Sequence, residues 1–257
     1  MSSSTRRLPG QNTIQSFADI DVPDQLRISL DTGWQHANAL FTGAGIRPST
    51  VGLITGLPGS GKTTVCLQLA NYLINAGHTV FYNSCEESGE QIKMTLERLE
   101  LKAMLSSENR DRAIHANLPE IGDIIDNADK LRANVAPGKG FFLFIDSLQT
   151  IEKASEGKGR PSGQQNQAVD AMWDLAEWCK KTYAIAQVIG QVTKDGTFSG
   201  RQEVKHCIDT HLHMSIDTER KSETYGQRIA EMQKNRFGLA NNYFSYEMTS
   251  RGIIFND

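Results

Sequence analysis

Eight consecutive residues, Gly56-Leu57-Pro58-Gly59-Ser60-Gly61-Lys62-Thr63, match the pattern G-x-x-x-x-G-K-[ST] at every fixed position. Glycines in such a run let the backbone curl until successive N–H groups converge on one anion. Lys62 supplies a cation for the β- and γ-phosphates and the Thr63 hydroxyl a ligand for Mg2+; Thr64 completes the nucleotide-holding run that starts at Gly56. The implied chemistry is that of ATP with Mg2+. Asp146 ends the apolar run Phe141-Phe142-Leu143-Phe144-Ile145. A carboxylate fixed there handles the metal or, in the plainer alternative, caps a turn. Glu86 and Glu87 follow another such run. One of them can orient or deprotonate the water that attacks a γ-phosphate, or the pair is a solvated helix start. Gln191 closes a third run, where an amide senses the γ-phosphate or faces solvent.

Positioning these groups takes strands that end beside the phosphate loop. Val51-Gly52-Leu53-Ile54-Thr55 reads as a buried strand entering the loop, and Cys66, Leu69, Ala70 and Leu73 mark an amphipathic helix leaving it. Gly77 stops that helix, and Thr79–Asn83 is the next strand. Ser88 with Gln91 forms a capping box for a helix to about Leu101. A short strand at Arg112–Ala116 precedes a helix with Pro119 at its first position. Phe141–Ile145 suits a central parallel strand. A helix from Ala168 to Lys181, with Trp173 and Ala176 inward, leads to the strand Ile185–Ile189. Alternating runs at His211–Ile216, Arg228–Met232, Tyr243–Met248 and Gly252–Phe255 follow. Trp34 and Leu40 are placed beneath the first central strand. The expected fold is α/β: a mostly parallel twisted sheet flanked by helices, extended by antiparallel strands at its C-terminal edge. Residues 1–26 read as a tail or linker with Ile14, Phe17 and Ile20 as apolar anchors, and residues 27–257 as one ATPase domain.

The net charge of −3 confines any nucleic-acid surface to a local patch. Two polar loops carry cations: Lys153, Lys158 and Arg160 in the first, Lys194, Arg201 and Lys205 in the second. They suit backbone phosphates of DNA, or they are ordinary solvated loops. Cys66, Cys85, Cys179 and Cys207 are scattered without a C-x-x-C pair, which points to reduced thiols and a cytoplasmic protein. His206, Cys207, His211 and His213 lack a second ligand pair at zinc spacing. No apolar run approaches the ~18 residues of a membrane span, so no membrane partner is expected.

Several stretches resemble the RadA (Sms) branch of the RecA-like ATPases. Gly43-Ala44-Gly45-Ile46-Arg47-Pro48 is similar to that family's entry segment, and Phe81 to Lys93 with Glu97-Arg98-Leu99 to its second-strand motif. Phe144-Ile145-Asp146-Ser147-Leu148-Gln149-Thr150 resembles its magnesium strand, and Gly190 to Gly196 its second DNA loop. Lys234-Asn235-Arg236-Phe237-Gly238 is similar to its K-N-R-F-G signature, and Phe244 to Thr249 also fits. The resemblance implies a RecA-like fold and a homo-oligomer, either a hexameric ring or a helical filament. It makes Glu86 the catalytic carboxylate with Glu87 in support, and gives Lys234 and Arg236 as fingers reaching a neighbour's nucleotide; read alone, that pair is a basic strand end. Loops 152–167 and 193–205 would line a path for single-stranded DNA. Gln191 stands where RadA proteins usually have histidine. Neither the family's four-cysteine zinc module nor its protease-like domain is found, so the motor core alone is expected. The implied function is a DNA-dependent ATPase of recombination or repair. A KaiC-like regulatory ATPase, a replicative-helicase-like ring motor and a compact recombinase or annealing protein are the alternatives. A small-molecule kinase would need an arginine-bearing lid, and no such segment is found.

Overall fold

Strands that lack polar alternation need cover on both faces, which places them inside a helix-flanked sheet. The computed structural model describes residue 14 and residues 16–151, 164–191, 204–222 and 225–256. Among these, nine strands form one sheet: β1 (Val51–Gly56), β2 (Thr79–Ser84), β3 (Ala113–Ala116), β4 (Phe141–Asp146), β5 (Ile185–Gln191), β6 (Thr210–Ile216), β7 (Arg228–Asn235), β8 (Asn242–Thr249) and β9 (Gly252–Phe255). Their order is β3-β2-β4-β5-β1-β6-β7-β8-β9. The first six positions pair in parallel and the last three strands add antiparallel.

The helices are α1 (Gln35–Phe41), α2 (Lys62–Asn75), α3 (Gly89–Arg98), α4 (Lys102–Leu105), α5 (Ile121–Arg132), α6 (Gln164–Thr182) and α7 (Val204–Cys207). One core joins α1 to α4 to one sheet face through Ile54, Tyr82, Phe142 and Phe144. A second joins α5 to α7 to the other face through Leu53, Phe81, Leu143 and Ile145. Successive residues of β4 thus serve opposite cores, which explains its unbroken apolar run. Trp34 is buried and stacks on Tyr72 of α2 at 5.1 Å. No helix among the described residues is long and apolar enough to cross a membrane. No disulfide joins the four cysteines.

Local signals fixed most element positions. The Ser88–Gln91 capping box is present in both directions. Its helix stops at Arg98, short of Leu101, and Glu100 takes φ +55°. The next helix begins at Ile121 with Glu120 as its N-cap, so Pro119 lies just outside it. α6 begins at Gln164, ahead of Ala168. Trp173 faces outward at 48 % exposure, contrary to its expected inward position. The buried stripe of α6 runs through Ala171, Met172, Leu175, Ala176 and Cys179, and a residue at 173 falls off it at 100° per step. Trp178 is the inward tryptophan, and its Nε1 donates to Asp129 Oδ1 at 3.0 Å. In the N-terminal stretch, Ile14 and Phe17 are exposed.

Candidate active site

Four parallel strands deliver the chemistry to one edge of the sheet, the place where open α/β sheets bind ligands. Gly56 and Gln191 are register partners at the ends of β1 and β5, as are Ser84 and Asp146 at the ends of β2 and β4. Glu86 follows β2 by two residues. Between them lies an open cleft of about 360 Å³, lined by Pro58, Gly59, Gly61, Lys62, Thr63 and Thr64 from the loop and α2. Glu86, Asp146, Ile189, Gln191 and Met248 complete its wall.

The phosphate loop turns at Gly61, which has φ +96°. A Cβ there would come within 2.8 Å of Met248 Sδ, on a flexible side chain, and it is the left-handed backbone that calls for glycine. α2 starts at Lys62 and points its positive end into the cleft. Lys62 Nζ donates to the loop's own carbonyls, Gly56 O at 2.8 Å and Leu57 O at 3.0 Å. Burial lowers its pKa, against the pull of Asp146 and Glu86. These carbonyls hold the ammonium at the cleft wall.

Thr63 Oγ1 donates to Asp146 Oδ2 at 2.9 Å, and the Tyr82 hydroxyl donates to the same oxygen at 3.0 Å. Asp146 is 4 % exposed. Burial pushes its pKa up, the two hydroxyl donors work against that, and the carboxylates of Glu86 and Glu87 add to it. A buried acidic oxygen pair beside a half-buried hydroxyl is an all-oxygen donor set that fits Mg2+. Because its folded pKa lies above the unfolded one, ionised Asp146 costs stability at neutral pH. Asp146→Asn is therefore expected to raise the melting temperature of the nucleotide-free protein by about 2–4 °C, the equivalent of ~1 kcal/mol. The gain should shrink as the melt is repeated toward the carboxylate range; a lowered melting temperature at pH 7 would contradict this electrostatic account.

Glu86 is the glutamate of the pair that lines the cleft. Ser147 Oγ donates to Glu86 Oε1, and Gln191 Nε2 reaches the same oxygen at 3.2 Å. Both bonds fall on Oε1. Glu87 turns into the start of α3: its N–H donates to Ser84 Oγ at 3.3 Å, and its carbonyl accepts from Asn117 Nδ2 at 3.0 Å.

Lys234 and Arg236 lie at the opposite end of the sheet. β7 runs antiparallel to β6, so Arg228 stands beside Ile216 near the phosphate loop and Lys234 beside His211. The six-residue β1 separates the two ends by roughly 15–20 Å. Lys234 Nζ donates to Lys205 O and Ile208 O, both at 2.7 Å. Arg236 pairs with Asp209 at 3.0 Å, and Asp209 also accepts from Val51 N at 3.0 Å. Neither cation serves this chain's own loop. Lys205 is exposed on α7. Lys153, Lys158, Arg160, Lys194 and Arg201 lie outside the described residues. His211 Nε2 and His213 Nδ1 each share Thr55 Oγ1 at 2.8 Å. Burial first, then the charges of His213, Lys205 and Lys234, bring the His211 pKa down to about 4.

Sequence reasoning missed Tyr82, Ser147, Met248, Tyr246 and Arg228. The Tyr82 hydroxyl within an apolar run was the one available signal, because a buried phenol needs a partner.

The family model described as "ATPase: KaiC" matches residues 30–257. The chain belongs to the KaiC family of RecA-type P-loop ATPases. A DNA repair protein RadA from Streptococcus pyogenes serotype M3 is 34% identical over 215 residues, covering 82% of this chain and 42% of the relative. The RadA of Aquifex aeolicus is 32% identical over 224 residues, covering 86% and 45%. The chain thus spans about half the length of the curated relatives it matches. Among solved structures, a KaiC-like protein from Pyrococcus horikoshii OT3 has TM-score 0.69 at 13% identity, covering 90% of this chain and 99% of that one. A second solved structure, of an isolated ATPase domain, has TM-score 0.71 at 16% identity, covering 91% and 93%. These two likenesses carry the fold: the parallel sheet, its antiparallel C-terminal edge and the flanking helices.

Proposed function

We propose that this KaiC-family chain is a Mg2+-dependent ATPase stimulated by single-stranded DNA, acting in recombination or repair as a hexameric ring or helical filament in the cytoplasm. One observation carries the reading. A single cleft gathers the phosphate loop, the Thr63–Asp146 pair and Glu86, and Gln191 leads from Glu86 directly into the second basic loop. Gly56 to Thr64 would hold the triphosphate, and Thr63 and Asp146 the metal. Bound Mg2+ supplies neutralisation of phosphate charge. Lys62 exchanges its loop carbonyls for phosphate oxygens. Glu86, oriented through Oε1 by Ser147 and Gln191, takes up the proton of the attacking water. Gln191 links that carboxylate to the residues that follow β5, so occupancy of the cleft and engagement of the loop are read by one amide. The names of the RadA relatives support a role in DNA repair.

The family description also favours a second reading, an oligomeric regulatory ATPase without DNA. Turnover measured with and without single-stranded DNA, while oligomer size is followed, separates the two. The expected result is stimulation that weakens as salt rises. Slow turnover indifferent to DNA at low salt would reject the DNA reading and favour the regulatory one. Lys62→Ala should abolish turnover in either case; unchanged hydrolysis would remove the phosphate loop from the mechanism.

A further inference from the structure

The phosphate loop is also held from the antiparallel strands β7 and β8. Tyr246 of β8, 2 % exposed, donates its hydroxyl proton to Ser60 O at 2.6 Å. Arg228 is its cross-strand partner on β7. Arg228 donates from Nη1 to Gly59 O at 3.3 Å, the carbonyl next to the one that Tyr246 holds. Burial pushes the Tyr246 pKa up, so the phenol keeps its proton. Two adjacent carbonyls of the loop, Gly59 O and Ser60 O, are thus each held by a donor from this strand pair.

A trans peptide is planar, with its C=O and N–H pointing in opposite directions. Fixing the Ser60 carbonyl therefore fixes the N–H of Gly61, on the other side of the same peptide. Gly61, in its left-handed conformation, has no side chain to hold that peptide in one orientation. The hairpin that bears Tyr246 is itself clamped to α2. Gln68 Oε1 accepts from Ile253 N at 2.8 Å, and its Nε2 donates to Ile253 O at 3.1 Å.

We propose that Tyr246, backed by Arg228, is a positioning residue that presents the Gly61 N–H to the nucleotide phosphates before they arrive. The proposal rests on the nucleotide-binding reading of the loop. Without the hydroxyl the peptide between Ser60 and Gly61 samples other orientations, and the apparent affinity falls with the competent fraction. A hydrogen bond of ordinary net strength corresponds to about a fivefold change.

The experiment is a titration of the full chain with Mg2+-ADP, comparing wild type, Tyr246→Phe and Arg228→Gln. Tyr246→Phe is expected to bind ADP about fivefold more weakly, and Arg228→Gln to shift in the same direction. The nucleotide-free Tyr246→Phe protein should melt no more than about 4 °C below wild type, while the ADP-induced rise in melting temperature shrinks. The Gly61 amide resonance should respond less to ADP in the variant than in wild type. Unchanged ADP affinity in Tyr246→Phe overturns the proposal. So does weakened binding that comes with a collapse of nucleotide-free stability and an unaffected Arg228→Gln. Wild-type protein that does not bind ADP at all strikes instead at the nucleotide reading itself.

Discussion

Glu86→Gln is expected to leave ATP bound and to cut turnover by about 10²–10⁴-fold, the usual scale for removing a general base. The substitution keeps the length of the side chain and its acceptor oxygen, so Ser147 and Gln191 can still hold it. What it removes is the negative charge that accepts a proton. ATP affinity measured by calorimetry should stay within a few-fold of wild type, because in the proposed reading Lys62, Thr63 and the backbone of the loop hold the phosphates. Glu87→Gln should have a far smaller effect, since the Glu87 backbone is tied to Ser84 and Asn117 and the residue does not line the cleft. If Glu87→Gln stops hydrolysis while Glu86→Gln does not, the assignment within the pair is reversed. A variant of Glu86 that loses ATP binding along with turnover would make it a binding group instead.

Arg236→Ala should lower turnover by at least about 10³-fold, the lower range for an arginine supplied to a transferring phosphoryl group. Within its own chain Arg236 stands at the far end of the sheet, on Asp209, so any catalytic action must be on a neighbour's site. Mixing Arg236→Ala with Lys62→Ala tests this. A site on an Arg236→Ala subunit keeps its phosphate loop and borrows an intact arginine from a Lys62→Ala neighbour. Random one-to-one assembly with head-to-tail contacts then restores about a quarter of wild-type activity. No recovery would place Arg236 outside trans catalysis and leave it as the structural partner of Asp209. Removing that partner leaves a buried carboxylate unpaired, so the melting temperature of Arg236→Ala must be recorded beside its activity. Arg236→Lys keeps the charge near Asp209 and loses the fork that spans phosphate oxygens, which separates the two roles further.

Much of the fold was legible because its signals are local. The capping box at Ser88 and Gln91 lies within one turn. The phosphate loop spans eight residues between a strand and a helix. The unbroken run Phe141–Ile145 announces a strand covered on both faces. Trp173 was misread for a local reason too: α6 contains two tryptophans five residues apart, and hydrophobicity alone does not say which one lies on the buried stripe. The choice was made by Asp129 of α5, which accepts from Trp178.

The candidate site divides in the same way. The sequence by itself determined that the chain carries the phosphate loop of its ATPase family, and which strand ends bear carboxylates, because phosphate binding by backbone N–H groups requires glycine at fixed spacing. Only the tertiary structure decided which glutamate faces the cleft. Only it brought Tyr82 and Thr63 onto one oxygen of Asp146, and set Lys234 and Arg236 at the far end from this chain's own loop. It also tied Ser60 to Tyr246, 186 residues away. Such contacts join side chains across strands that are distant in the chain, and their geometry is set by the packing and register of the sheet. Residue types and spacings within one segment carry no record of it.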